Sequence, residues 1–201
     1  MATRRTASYP NISTKIVDLT DLSSFDDNTF DMITVCYGYM FCEDKQKTCN
    51  ESYRVLKPGG TLVATYWKNL HPIEFSKKVL AAVYRDGTVP PLSINPMSLS
   101  ADGLCRDFLE RAGFSSSRIT TEVSEYPFDL GSNKDLVFKL GVLPAYPKLH
   151  ELKERGDMVK ELQRGEEVFW NEIAAAPNVD IDVNGRTIMY DNVFEMITAV
   201  K

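Results

Sequence analysis

The sequence predicts an α/β fold built on a parallel sheet with helices on both faces. Phe30–Tyr37 (FDMITVCY) and Thr61–Trp67 (TLVATYW) are nearly continuous runs of apolar and β-branched residues, and an apolar helical stripe lies between them. Such runs suit strands covered on both faces. Strand, helix and strand at this spacing make one βαβ unit, whose crossover is expected to be right-handed.

The elements follow in chain order. Tyr9-Pro10-Asn11 marks a turn, because proline disfavours helix in the residue before it. Ile12–Val17 reads as a short strand ending at Asp18, and Leu19–Asn28 as a loop rich in Asp and Ser. The helix of the βαβ unit runs from about Asp44 to Leu56, with Cys49, Tyr53 and Leu56 on one stripe. Lys57-Pro58-Gly59-Gly60 ends it, a proline followed by glycines able to take left-handed geometry. A helix near Pro72–Arg85 turns Phe75, Val79, Ala82 and Val83 to one side, and Asp86–Leu99, with Pro90, Pro91 and Pro96, reads as a loop. Ser100 is the expected cap of a helix carrying Leu104, Phe108 and Ala112 and stopped by Gly113. Arg118–Tyr126 alternates like a strand. Ser132–Leu143 and Leu149–Ile173 read as helices, the second interrupted at Gly156 and Gly165. The Asn184-Gly185 turn between Val179–Val183 and Arg186–Tyr190 predicts a hairpin, and Phe194–Val200 a final strand.

Composition narrows the function classes. A chain of 201 residues, 43% hydrophobic and 25% charged, is long enough for a single domain with a proper core. We expect one domain, with a core over 1–70, a helical and loop cap over 71–176, and a C-terminal hairpin and strand over 177–201. The net charge of −5 argues against a general nucleic-acid binder, which needs a basic surface to displace counterions. No apolar run reaches the roughly 18 residues that span a bilayer. Cys36, Cys42, Cys49 and Cys105 form no C-x-x-C pair and lie far in sequence from His71 and His150, so no metal site is expected. Reduced thiols fit a cytoplasmic compartment, with an organelle matrix as the alternative. Arg4 and Arg5 lie among Ser and Thr ahead of the first acidic residue, Asp18. That pattern fits either a transit peptide or, as we prefer, the frayed end of a helix.

Four blocks carry a family resemblance. They are Val17-Asp18-Leu19 with Leu22, Phe25-Asp26-Asp27-Asn28-Thr29-Phe30-Asp31, Val35-Cys36-Tyr37-Gly38-Tyr39-Met40-Phe41, and Ser52-Tyr53-Arg54-Val55-Leu56-Lys57-Pro58-Gly59-Gly60-Thr61-Leu62. In this order they resemble the methyltransferase type 11 family of class I S-adenosylmethionine-dependent methyltransferases, which includes the ubiquinone and menaquinone biosynthesis enzymes. The resemblance implies a Rossmann-like sheet in the order 3-2-1-4-5-7-6, with Ser13–Val17 as strand 3, Asp31–Cys36 as strand 4 and Thr61–Tyr66 as strand 5. Strands 1 and 2 would precede Met1, together with the glycine-rich cofactor turn and the acidic residue that holds the ribose; the eleven glycines here contain no G-x-G. The expected sheet is therefore shortened and carries a C-terminal antiparallel strand pair. Its N-terminus would be strained or swapped, because strand 4 would present an open edge that invites another chain.

The same resemblance implies site residues. Asp18 and the Leu19 amide would meet the adenine of S-adenosylmethionine, and Cys36, Tyr37 and Gly38 its methionine moiety. Tyr39, Met40, Phe41, Tyr66 and Trp67 would line the acceptor side, excluding water and offering aromatic faces. No catalytic base is demanded, because the cofactor brings an activated methyl and the protein mainly orients two reactants. The implied function is methyl transfer to a small-molecule or lipid-like acceptor, impaired where the glycine-rich loop is lacking. Two alternatives stay open. One is a non-catalytic module that forms a homodimer or docks on a full-length homologue through the open edge. The other is an incomplete gene product of a full-length methyltransferase.

Overall fold

Phe30–Cys36 forms β1 and Leu56–Asn69 forms β2, paired in parallel with Ile33 opposite Leu62 and Val35 opposite Ala64. In the computed structural model, which describes residues 9–91 and 95–201, they belong to a four-stranded sheet. β7 (Val193–Val200) runs antiparallel to β2, and β3 (Ile119–Glu125) antiparallel to β7, so the order is β1-β2-β7-β3. This is the 4-5-7-6 part of the strand order implied by the resemblance, and the α/β class is as expected.

The crossover helix α1 (Lys45–Val55) starts where the Asp44 carboxylate accepts the Lys47 amide at 2.9 Å, an N-cap that satisfies a helix-end donor. α2 (Pro72–Val83) follows β2, and α3 (Leu104–Ala112) precedes β3. Cys49 of α1 and Cys105 and Leu109 of α3 are buried against Leu62, Ala64, Ile197 and Ala199, which all point to one sheet face. The alternate residues Thr61, Val63, Thr65, Met196, Thr198 and Val200 are only half-buried. Among the described residues no strand pairs with the outer edge of β1.

A second core grows from the far side of α2. Phe75, Val79, Leu80 and Val83 pack with residues of α4 (Lys134–Gly141), α5 (Tyr146–Arg155) and α6 (Val159–Ala175), among them Val137, Leu149, Phe169 and Ile173. A small sheet closes it, in the order β4-β6-β5, from Phe128–Gly131, Thr187–Met189 and Val179–Ile181. Among the described residues no helix is long and apolar enough to cross a membrane.

Several expectations are corrected. Ile12–Val17 is not a strand: among the described residues no strand lies alongside it, and Ile16 is fully exposed. The helix does end ahead of Lys57–Gly60, with Gly59 at φ 80, but that segment is itself the irregular start of β2, where pairing jumps from Phe30–Leu56 to Met32–Thr61. A side chain at Gly60 would lie within about 3 Å of the Lys57 and Asp31 carbonyls, so close approach of backbone is what requires glycine there. Ser100 does not cap α3; Gly103, at φ 74, takes that place. Gly156, at φ 70, does end α5, but α6 runs unbroken through Gly165. Gly165 lets α6 approach α2, since a Cβ there would meet Val83 Cγ2 at 2.7 Å. The strand β4 was not foreseen. The expected helix end at Arg4 and Arg5 lies outside the described residues.

Candidate functional site

The carboxyl ends of β1 and β2 lie side by side because the strands are parallel, and they are the edge where open α/β sheets bind ligands. β1 ends at the exposed Cys36, and the chain then turns sharply at Tyr37, whose φ is 50. A bulky residue in the left-handed region is strained and persists only where its surroundings fix it. Here they do: the Tyr37 amide donates to Thr65 Oγ1 at 3.2 Å, and its ring stacks on Trp67 at 4.4 Å and 14°. Partial burial raises the Tyr37 phenol above its ordinary pKa.

Gly38 comes next and opens a short 3-10 turn, Tyr39–Phe41, by accepting the Phe41 amide at 3.0 Å. A Cβ at Gly38 would lie 2.8 Å from Val35 Cγ1 and 3.9 Å from Leu19 Cδ1. The structure thus brings Leu19 beside Gly38, although they are far apart in sequence. Asp18 is exposed, and its Oδ1 accepts both the amide and the hydroxyl of Thr20, at 2.8 and 2.9 Å. These bonds hold its carboxyl below the ordinary value, the backbone bond contributing most.

The expected acceptor-side residues divide. Trp67 joins Tyr37 in an aromatic block with Phe194 and Phe128, its ring meeting that of Phe128 edge-on at 5.2 Å and 85°. Tyr39, Met40 and Tyr66 turn into the main core instead. Tyr39 donates to Ser52 Oγ at 2.6 Å, and burial drives its phenol pKa far upward. The Tyr66 phenol is likewise raised by burial, with Glu195 as a hydrogen-bond partner. Phe41 is half-exposed on the outer side of the 3-10 turn.

Phe128, Phe194 and Thr65 escaped the reading from sequence. Phe194 was legible in principle, since the register of the two predicted strands sets it opposite Trp67. Phe128 was not, because β4 is too short to show a period.

Comparisons with known proteins bear on the family resemblance and the fold. Residues 1–64 match the family described as Methyltransferase domain. Over 56 residues the chain is 45% identical to the ubiquinone/menaquinone biosynthesis C-methyltransferase UbiE of Enterobacter sp. strain 638, a match covering 28% of this chain and 19% of that protein. UbiE of Klebsiella pneumoniae gives the same identity and coverage. The match thus spans about a fifth of the length of these relatives. Among solved structures, the YcgJ protein of Bacillus subtilis superposes with a TM-score of 0.53 at 14% identity, over 100% of this chain and 75% of that one. A putative methyltransferase of Bacillus halodurans gives 0.53 at 14% identity, over 100% and 76%. At such identities these two likenesses speak for the fold alone.

Proposed function

We propose, on the premise that this chain belongs to the class I S-adenosylmethionine-dependent methyltransferases, that the carboxyl ends of β1 and β2 form one wall of a cofactor cleft serving methyl transfer to a small or lipid-like acceptor. The observation that carries this reading is the Tyr37–Gly38 turn. A tyrosine at φ 50 stores of order 1–3 kcal/mol of backbone strain, and it does so at the sheet edge where ligands bind.

The residues present fit the cofactor as one wall. Gly38 keeps the β1 exit bare of side chain, and Leu19 beside it offers an apolar surface. Both Thr20 bonds fall on Asp18 Oδ1, which leaves Oδ2 as an acceptor for an adenine amino group. The cofactor, when bound, supplies an activated methyl on a sulfonium. The stacked Tyr37 and Trp67 exclude water from that end and offer ring faces to a cationic or apolar partner. The chain needs no general base. The His71 ring meets the Asn69 side-chain amide at 3.4 Å, and the His150 ring stacks on Tyr146.

Calorimetric titration of the chain with S-adenosylmethionine tests the proposal. A saturable heat, a raised melting temperature and slower alkylation of Cys36 are expected, all weakened in Tyr37→Ala. Absence of heat and of thermal shift at millimolar cofactor would overturn it.

The unpaired β1 edge favours a second reading, a methyltransferase-like module that takes a strand from a second chain. Met32, exposed at this edge, and the half-buried second sheet face are the surfaces it would use. Light scattering across a concentration series would then reveal a dimer that Met32→Lys disperses; a monomer throughout, with no capture of a full-length homologue, refutes this reading.

A further inference from the structure

The helices of the second core do not close over one another completely. Between α2, α4, α5 and α6 lies a cavity of about 520 Å³, within the roughly 300–1,000 Å³ range of small-molecule sites. Its floor is apolar, made by Val79, Phe138, Leu149 and Leu162. None of its lining residues belongs to the Tyr37–Trp67 edge, so it is a separate place on the molecule.

Two features say what it would hold. One wall is flat: the Tyr146 and His150 rings stack at 5.6 Å and 9°. The mouth carries Val159, 54% exposed, just after Met158 at φ 52, so an apolar side chain is held at the opening by a strained residue. The second feature is charge. Asp135, Glu154 and Glu166 stand on the rim against a single ammonium, that of Lys153. Among the described residues none of these four forms a salt bridge; the Glu166 carboxylate accepts only the Trp170 indole N–H, at 3.4 Å. Of the neighbouring cations, Lys134 lies over the Trp170 ring at 5.9 Å, and Lys139 lies over the Tyr146 ring at 5.1 Å without forming an ion pair with these carboxylates. An apolar cavity rimmed by carboxylates that form no salt bridge among the described residues is complementary to a molecule with an apolar body and a cationic head.

We propose that this cavity binds an amphipathic amine or quaternary ammonium, its apolar part against Leu149 and Leu162 and its charge at the Glu154–Glu166 rim. The site does not depend on the methyltransferase reading and needs no cofactor. The probes are decyltrimethylammonium, decanoate and 1-decanol, each below its aggregation threshold and titrated by calorimetry, with methyl NMR of the unsubstituted chain. The ammonium is expected to bind at one site at least tenfold more tightly than decanoate and to shift the Val79, Leu149 and Leu162 methyl resonances. Replacing both rim residues, Glu154→Gln with Glu166→Gln, should cut that preference below threefold while leaving decanol binding unchanged. Leu162→Trp should fill the cavity and abolish binding of all three. Should that variant not fold, the methyl map of the unsubstituted chain decides. No saturable binding, decanoate binding as tightly as the ammonium, or methyl shifts confined to other residues would overturn the proposal.

Discussion

Gly38→Ala isolates the physics of the β1 exit. The backbone of Gly38, at φ −102 and ψ −49, is one that alanine adopts freely, so the substitution carries no conformational penalty. Its cost is steric: the new Cβ would lie 2.8 Å from Val35 Cγ1, inside the 3.4–4 Å of ordinary contact. Val35 cannot swing clear, because a β-branched side chain is stiff at χ1 and this one packs on the main core. Overpacking of this kind costs about 1–3 kcal/mol. Val35→Ala removes the clashing methyl and on its own should cost about 1–2 kcal/mol as a large-to-small change at a half-buried site. In the double variant the alanine at 38 fills space vacated at 35, so the combined loss should fall short of the sum by at least about 1 kcal/mol. Urea unfolding of all four proteins with a shared slope measures this coupling. Losses that add to within about 0.5 kcal/mol would refute the argument that Val35 is what makes glycine necessary.

Other outcomes follow from single residues. Lys201 Nζ donates to the Tyr53 and Leu56 carbonyls at 2.8 and 2.7 Å, capping the C-terminal end of α1, so Lys201→Met should lower stability in urea by about 2 kcal/mol. Cys36 should react with a maleimide in the folded chain, and Cys42 more slowly. Cys49, whose thiol burial pushes up to about 12, and Cys105, pushed up by the same cause, should react only on unfolding, as mass spectrometry would show. Hydrogen bonding from Arg54, then the Leu22 amide, holds the Glu51 carboxyl below its ordinary 4.5. A depressed folded-state pKa stabilises fully above the unfolded value and is lost as pH falls through the folded one. Melting temperature should therefore drop as pH falls below about 4.5, and Glu51→Gln should flatten that slope.

What was legible in the sequence divides along the length of each signal. Phe30–Tyr37 and Thr61–Trp67 are long and apolar on both faces, and they became β1 and the body of β2. The start of α1 near Asp44 and the place of Cys49 on its buried face likewise read correctly, because a period of 3.6 is a local property, whereas Leu56, read onto the same stripe, belongs to β2. Ile12–Val17 shows the limit of such reading: alternation is a property of the segment, whereas being a strand requires a neighbour to bond with. Glycine was misread for a similar reason. At Gly165 the smallest side chain serves contact with α2, and nothing within the α6 sequence distinguishes that from a break. In the candidate site, Tyr37 and Gly38 were picked out by family pattern, but the strain at Tyr37 and the stack on Trp67 needed coordinates. Tyr39, Met40 and Tyr66 share the aromatic and apolar character of cleft residues, and only the geometry sends them into the core.

The two cores are joined at the β6–β7 junction by one fully buried amide, and this joint sets how the aromatic block is held. Asn192 Oδ1 accepts the His71 amide at 3.1 Å, and its Nδ2 donates to the Met189 carbonyl at 3.0 Å. Its own carbonyl accepts the Tyr126 amide at 2.7 Å. A single residue thus ties the β2–α2 turn, the end of β6 and the approach to β4, the elements on which Trp67 and Phe128 are mounted. Both side-chain functions are needed, an acceptor and a donor. Asn192→Asp keeps the shape and the acceptor but sets a carboxyl oxygen against the Met189 carbonyl, whereas Asn192→Leu leaves the His71 amide and that carbonyl both unsatisfied. Each orphaned buried group costs about 1–3 kcal/mol, so Asn192→Leu should lose about 4 kcal/mol in urea unfolding. Asn192→Asp should lose less above the pKa of its new carboxylate only where a solvent path hydrates it, and the buried position offers none; its loss should therefore shrink as pH is lowered and the carboxyl becomes a donor. An Asn192→Asp protein that is equally stable from pH 5 to pH 8 and within about 0.5 kcal/mol of the parent would show that this amide does not carry the joint.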